Sequence, residues 1–195
     1  KELGLAEYII PDHAERCFDP AVSPLYLNAV PGNGDASSEA AATGTGPDTL
    51  RFINLALFFR NLSAKECSDV MRKMTFDNRS RKTVCSILKY KDAELPSGRA
   101  DVKCLLKDTG AEILKLIIQF RNILGADTDR IESELEDIIE KDEPYNISML
   151  EITGRDIMDA GLARGPAVGE ALSKLLDAVI EDPQLNSKDK LLKLL

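Results

Sequence analysis

Apolar residues recur along this chain mostly at steps of three and four, the signature of helices that bury one face. The clearest run is Ile152 to Ile180. Within it Val168, Leu172, Leu175, Leu176, Val179 and Ile180 form one stripe with polar residues opposite. Ahead of that stripe, Thr153 reads as an N-cap with Asp156 in the first turn, and Gly161 as a left-handed stop. Arg164-Gly165-Pro166 then restarts the chain, Pro166 being pre-set for a first helical position and Gly165 letting another backbone come close. The pattern predicts a helix-turn-helix hairpin around a glycine-rich turn.

The same reading applies elsewhere. Leu50 to Phe59 is apolar almost all round and predicts a core helix. Ser63 and Glu66 make a capping box for a helix with Cys67, Val70, Met71 and Met74 inward. Further helices are expected from about Asn78 to Tyr90, Arg99 to Leu106, Ala111 to Leu124 and Asp127 to Lys141, the last burying Ile131, Leu135, Ile138 and Ile139 under an acidic face. Leu3 to Ile10 reads as a short helix closed by Pro11. The Gly, Ala, Ser, Thr and Asn content between Pro31 and Pro47 reads as a loop or linker. No stretch alternates with period two, so the expected fold is all-α: an elongated multi-helix body and a helical tail carrying the hairpin.

Composition narrows the class. A chain of 195 residues, 44% of them hydrophobic, buries one large core or two small ones. No run approaches the roughly 18 apolar residues of a membrane span, so no membrane partner is expected. The four cysteines, Cys17, Cys67, Cys85 and Cys104, have no zinc-site spacing and read as buried free thiols in a reducing cytoplasm. The net charge of −8 is unevenly spread. Arg51 to Lys107 holds 13 Lys or Arg against 6 Asp or Glu, a local +7, while Asp108 to Ile147 holds 4 against 11, a local −7. A basic body beside acidic helices can still bind a polyanion along one face, because surface attraction decays over about 8 Å at physiological salt.

Catalytic chemistry is sparse. His13 is the only histidine, so no Ser/His/Asp set forms. Asp127-Thr-Asp129 reads as a helix cap rather than a metal site. The expectation is no catalytic residue, no metal ligand and no cofactor in this chain. Nucleic-acid contacts are the remaining candidate, through Arg72, Lys73, Arg79, Arg81, Lys82, Lys89 and Lys91, with a second contact at Arg155, Arg164 and Gly165, where a helix start offers free N–H groups to phosphate. Each of these basic residues equally suits an ordinary solvated helix face, and the turn equally suits a simple joint between packed helices.

Pro144 to Gly154, the hairpin, and Glu181 to Leu192 together resemble the tail of bacterial CCA-adding tRNA nucleotidyltransferases of the class II, poly(A) polymerase-like kind. Gly4 to Cys17 is similar to the segment leading out of that family's neck, and Lys89 to Glu94 to a landmark of its helical body. The resemblance implies the end of a neck over 1–30, an inserted loop over 31–49, a body over 50–107 that is a degenerate form of a metal-dependent phosphohydrolase fold, and a tail over 108–195. It implies that the catalytic head precedes this chain, which starts at Lys1, and that the chain is inactive alone. The parent enzyme would add C, C and A to tRNA from CTP and ATP with magnesium, in the cytoplasm, while body and tail grip acceptor stem and elbow. Phe58-Phe59-Arg60-Asn61 and Lys91 stand where phosphohydrolase relatives carry metal ligands, so hydrolysis is not expected. A non-catalytic helical interaction module of the same descent is the alternative.

Overall fold

Proline lacks an amide hydrogen and fixes φ near −65°, which suits the first position of a helix. The first helix opens on one: α1 runs Pro47–Phe58. The structure, a computed structural model, describes residues 47–195. The Leu3–Ile10 helix, His13, Cys17, the 1–30 segment and most of the 31–49 loop therefore lie outside the described residues. The end of that loop is helical, because α1 begins at Pro47 and not at Leu50.

Eight more helices follow among the described residues: α2 Ala64–Lys73, α3 Asn78–Lys89, α4 Arg99–Thr109, α5 Ala111–Ile123, α6 Asp129–Glu140, α7 Gly154–Asp159, α8 Pro166–Glu181 and α9 Lys188–Lys193. Short 3-10 turns occur at Ile147–Met149 and Pro183–Leu185. The described residues contain no strand, so the fold is all-α. None of these helices is long and apolar enough to cross a membrane.

Local chemistry sets the helix ends. Ser63 and Glu66 form the expected capping box of α2, and Thr153 and Asp156 that of α7. Four helices stop in the same way. After α2, α5, α6 and α7, a residue with positive φ reverses the chain and the next amide reaches back five residues: Phe76 N–H donates to Met71 O, Ala126 to Arg121, Glu143 to Ile138 and Leu162 to Ile157. Glycine supplies that conformation at Gly125 and Gly161, but Thr75 (φ 58°) and Asp142 (φ 50°) supply it at the other two.

The chain folds as two units. The first comprises described residues up to Glu94 together with Glu112–Thr128, and the second Leu95–Ala111 together with Asp129–Leu195. The boundary expected between 107 and 108 is thus replaced by an exchange in which α4 joins the second unit and α5 the first. Physical complementarity accounts for it. Leu116, Ile117 and Phe120 of α5 complete the apolar core of α1, α2 and α3. The buried side of α4 instead carries Lys103, whose partners lie in the second unit.

In the second unit, Leu175, Leu176, Val179 and Ile180 of α8 pack with Leu150, Ile152, Ile157 and Leu191. Val168 and Leu172, the N-terminal end of the predicted stripe, are half-buried. Asn186 ties the segment before α7 in place: its Nδ2 donates to Met149 O at 3.0 Å and its Oδ1 accepts from Glu151 N at 2.9 Å. Two burial expectations change. Ile139 lies outside the α6 stripe and is 39% exposed. Of the thiols, Cys67 is buried, Cys85 half-buried and Cys104 exposed.

Candidate nucleic-acid interface

Each helix of the first unit turns one side to the core, and that choice decides which cations face water. On α2, Cys67, Val70 and Met71 point inward, leaving Arg72 and Lys73 exposed. On α3, Thr83, Val84, Ile87 and Leu88 point inward, leaving Lys82 and Lys89, seven residues apart, on the outer side. Lys73 and Lys82 have no ion pair or hydrogen bond among the described residues. Among the predicted cations of α2 and α3 they are the most available to a ligand. Arg72 pairs with Asp69 at 2.7 Å, a contact between exposed side chains that contributes little and is easily exchanged for phosphate.

The other α3 cations are more committed. Arg79 pairs with Asp48 at 3.2 Å and lies over the Phe52 ring, 5.6 Å from its centre. Arg81 donates to Asn78 Oδ1 at 2.8 Å. Lys89 donates to the hydroxyl of Tyr90 at 3.3 Å and sits over that ring. Lys91 stands apart from all of these. Its ammonium donates to Arg60 O at 2.6 Å and Leu62 O at 3.5 Å, in the turn that follows α1. Arg121 does the same for the turn after α3, donating to the carbonyls of Tyr90 and Ala93. Both cations hold the core together. Lys91, which the resemblance sets where relatives carry a metal ligand, is engaged with backbone carbonyls.

Besides Arg51, which pairs with Asp77, two exposed cations of the first unit escape the sequence argument. Lys65 on α2 precedes Arg72 by seven residues and Lys73 by eight, and so belongs to their side; heptad spacing is the signal that finds it. Lys115 on α5 is also exposed, and only the exchange of α5 into the first unit associates it with the others.

Within the second unit, Arg155 is 87% exposed and 3.8 Å from Asp159. Arg164 is exposed with no partner among the described residues. Gly165 precedes α8 with φ 60° and ψ −136°, a backbone region essentially confined to glycine. The close approach expected at Gly165 belongs elsewhere. A Cβ there would meet nothing within 4 Å, whereas one on Gly154 would lie 2.9 Å from Val168 Cγ1. Gly154 therefore lets α7 rest on α8, and Gly165 makes the turn.

The second unit also holds a basic row that the sequence disguises. Arg99, Lys103 and Lys107 recur every four residues on α4 and face acids. Arg99 meets Glu134 at 2.9 Å, Asp137 at 2.7 Å and Glu143 at 2.6 Å. Lys103, only 1% exposed, meets Glu143 at 2.6 Å, and Lys107 meets Asp177 at 2.7 Å. The Arg99 guanidinium, aided by Lys103, holds the Glu143 carboxyl down at about 2 against its ordinary 4.5. Lys103 is internal, Arg99 is half-buried among its acids, and Lys107 makes an exposed pair.

Magnesium, which the resemblance implies for the parent enzyme, finds no holding set: among the described residues no three His, Cys, Asp or Glu side chains are placed to share a metal ion. Asp129 lies in the first turn of α6, where its charge favours the helix dipole.

Neither the curated proteins nor the solved structures give a match to this chain. The family model for tRNA nucleotidyltransferase domain 2 matches residues 51–195, which spans both units from α1 to the C-terminal residue. On that match the chain belongs to the tRNA nucleotidyltransferase domain 2 family.

Proposed function

We propose that this chain is the tRNA-gripping body and tail of a CCA-adding tRNA nucleotidyltransferase, working in the cytoplasm and contacting acceptor stem and elbow. Nucleotidyl transfer from CTP and ATP, with magnesium, belongs to a catalytic head outside the described residues, and the chain alone transfers nothing. Family membership supports the tRNA side of this reading. The observation that carries the rest is the division of charge between the units. Described residues of the first hold 12 Lys or Arg against 8 Asp or Glu, net +4, and those of the second hold 11 against 18, net −7. A polyanion is drawn to the first and repelled from most of the second, where Arg155, Arg164 and the N–H groups following Gly165 form a local exception. Such contacts position RNA without reading its sequence, which suits a protein that must accept every tRNA. The acidity of the second unit equally suits the alternative, a helical module that binds a basic protein.

Binding of the chain to tRNA, followed across a salt series with duplex DNA as control, tests the proposal. Preferential tRNA binding is expected, with a slope near 0.9 for each duplex phosphate neutralised. Lys73→Glu/Lys82→Glu should weaken it about tenfold or more and flatten the slope. Arg164→Glu should produce a smaller loss. Equal binding to DNA, or none to either, would favour the protein-binding module. Incorporation of labelled CTP or ATP by the chain alone would defeat the assignment of catalysis to a separate head.

A further inference from the structure

The second unit turns apolar side chains outward at two places whose surroundings differ in charge. At the first, Met158 of α7 and Leu162, just past the stop of that helix, are each 46% exposed. The Leu162 N–H donates to Ile157 O at 3.2 Å, which keeps Leu162 at the end of α7 where Met158 lies. Arg155, three residues before Met158, and Arg164, two residues after Leu162, flank them, and both are exposed. Asp159 is 3.8 Å from Arg155, but both side chains are in water, so the pair contributes little and exchanges readily. At the second place, Ile139 of α6 is 39% exposed. Glu132 and Glu136, seven and three residues earlier, share its side of the helix, and Glu140 follows it. All three glutamates are exposed, with no ion pair or hydrogen bond among the described residues. Glu134 and Asp137, on the other side of α6, are the ones that Arg99 holds. One patch is thus apolar with basic flanks, and the other apolar with acidic flanks.

We propose that the two patches are the halves of one interface and that the partner is a second copy of this chain. α6 of each copy docks on α7 of the other, Ile139 against Met158 and Leu162, with Glu132 and Glu136 against Arg155 and Arg164. Charge selects this occupant. In a unit of net −7, Arg155 and Arg164 make a local basic spot, and an acidic helix side with an apolar residue in it complements that spot in both respects. Because each copy supplies both halves, the contact is made twice about a two-fold axis and closes at a dimer. The patches are small, and the like net charges of the two units oppose approach, so the pairing is weak, in the micromolar range. This inference is independent of the tRNA reading, and no RNA enters its test.

Sedimentation velocity of the whole chain from about 1 to 200 µM should show monomer giving way to dimer and nothing larger. Glu136→Arg is expected to stay monomeric throughout, and so is Arg155→Glu, since each sets like charges together in both contacts. Both positions are exposed, so the fold is kept, which circular dichroism and thermal unfolding verify. An equimolar mixture of the two variants should dimerise again, because every contact of the mixed pair regains opposite charges; a merely structural effect of either substitution would not be rescued in this way. Ile139→Ser should weaken the dimer about tenfold by removing the apolar centre of one half. A monomer at every concentration, which would leave the patches to a different partner, overturns the proposal. So does a dimer that both charge variants retain, or a mixture that stays monomeric.

Discussion

A threonine at φ 58° is an expensive way to end a helix, since its branched Cβ crowds the preceding carbonyl. Thr75 does at the end of α2 what Gly161 does at the end of α7, and it is exposed, so no packing requires a side chain there. Thr75→Gly is therefore expected to stabilise the protein by about 1 kcal/mol, raising Tm by about 2–4 °C in a chain of this size. Asp142→Gly should gain less, because aspartate tolerates the left-handed region better. Thermal unfolding of both variants checks the order. These two stops were illegible in the sequence for the same reason: the search for a left-handed residue looks for glycine, and only the backbone reveals a substitute. Gly161 was legible, whereas Gly154 was not, because its need arises from Val168 fourteen residues away.

At the scale of elements, helices with a single apolar stripe were readable in advance, α8 most fully, because the 3.6-residue period is set by burial alone. Charge was harder. The row of Arg99, Lys103 and Lys107 looks on paper like the cations of α2 and α3, yet it faces the acids of α6, α8 and the segment after α6. Spacing reports which cations share a side and not what that side meets. The same row makes a pH prediction. Glu143 has its folded pKa lowered to about 2 from an ordinary 4.5, so the unfolded chain binds the proton more readily. Its contribution to stability is complete above pH 4.5 and is lost as pH falls from there toward 2. Asp77, also lowered to about 2, acts over a similar range, so the comparison must be made with Glu143→Gln. That variant should unfold more easily at pH 6 and show a shallower loss on acidification. Urea midpoints between pH 6 and pH 2.5 measure both effects, and parallel pH curves for variant and wild type would contradict the assignment.

For the molecule as a whole, the all-α class and the uneven charge followed from the sequence, while the division into units did not. The boundary at 107 and 108 is natural for a chain read in order, and the folded chain ignores it. A fragment covering 47–107 would keep α1 to α3 without Phe120 and the rest of α5, and would carry α4 without the carboxylates that neutralise Lys103. Such a fragment is expected to lose cooperative unfolding and to bind a hydrophobic dye, whereas the intact chain unfolds with a defined transition. A sharp transition in the fragment would count against the exchange of α4 and α5.

That exchange bears on how the protein is born. Synthesis proceeds from the N-terminus, and a unit closes only when its last contributing residue has left the ribosome. The first unit must wait for α5, by which time α4 has already emerged with Lys103 still lacking Glu143. For the interval needed to make α5 and α6, α4 is an orphan helix between a unit that is closing and one not yet made. Slow or interrupted translation in that window would leave its cations open to whatever polyanion is nearest.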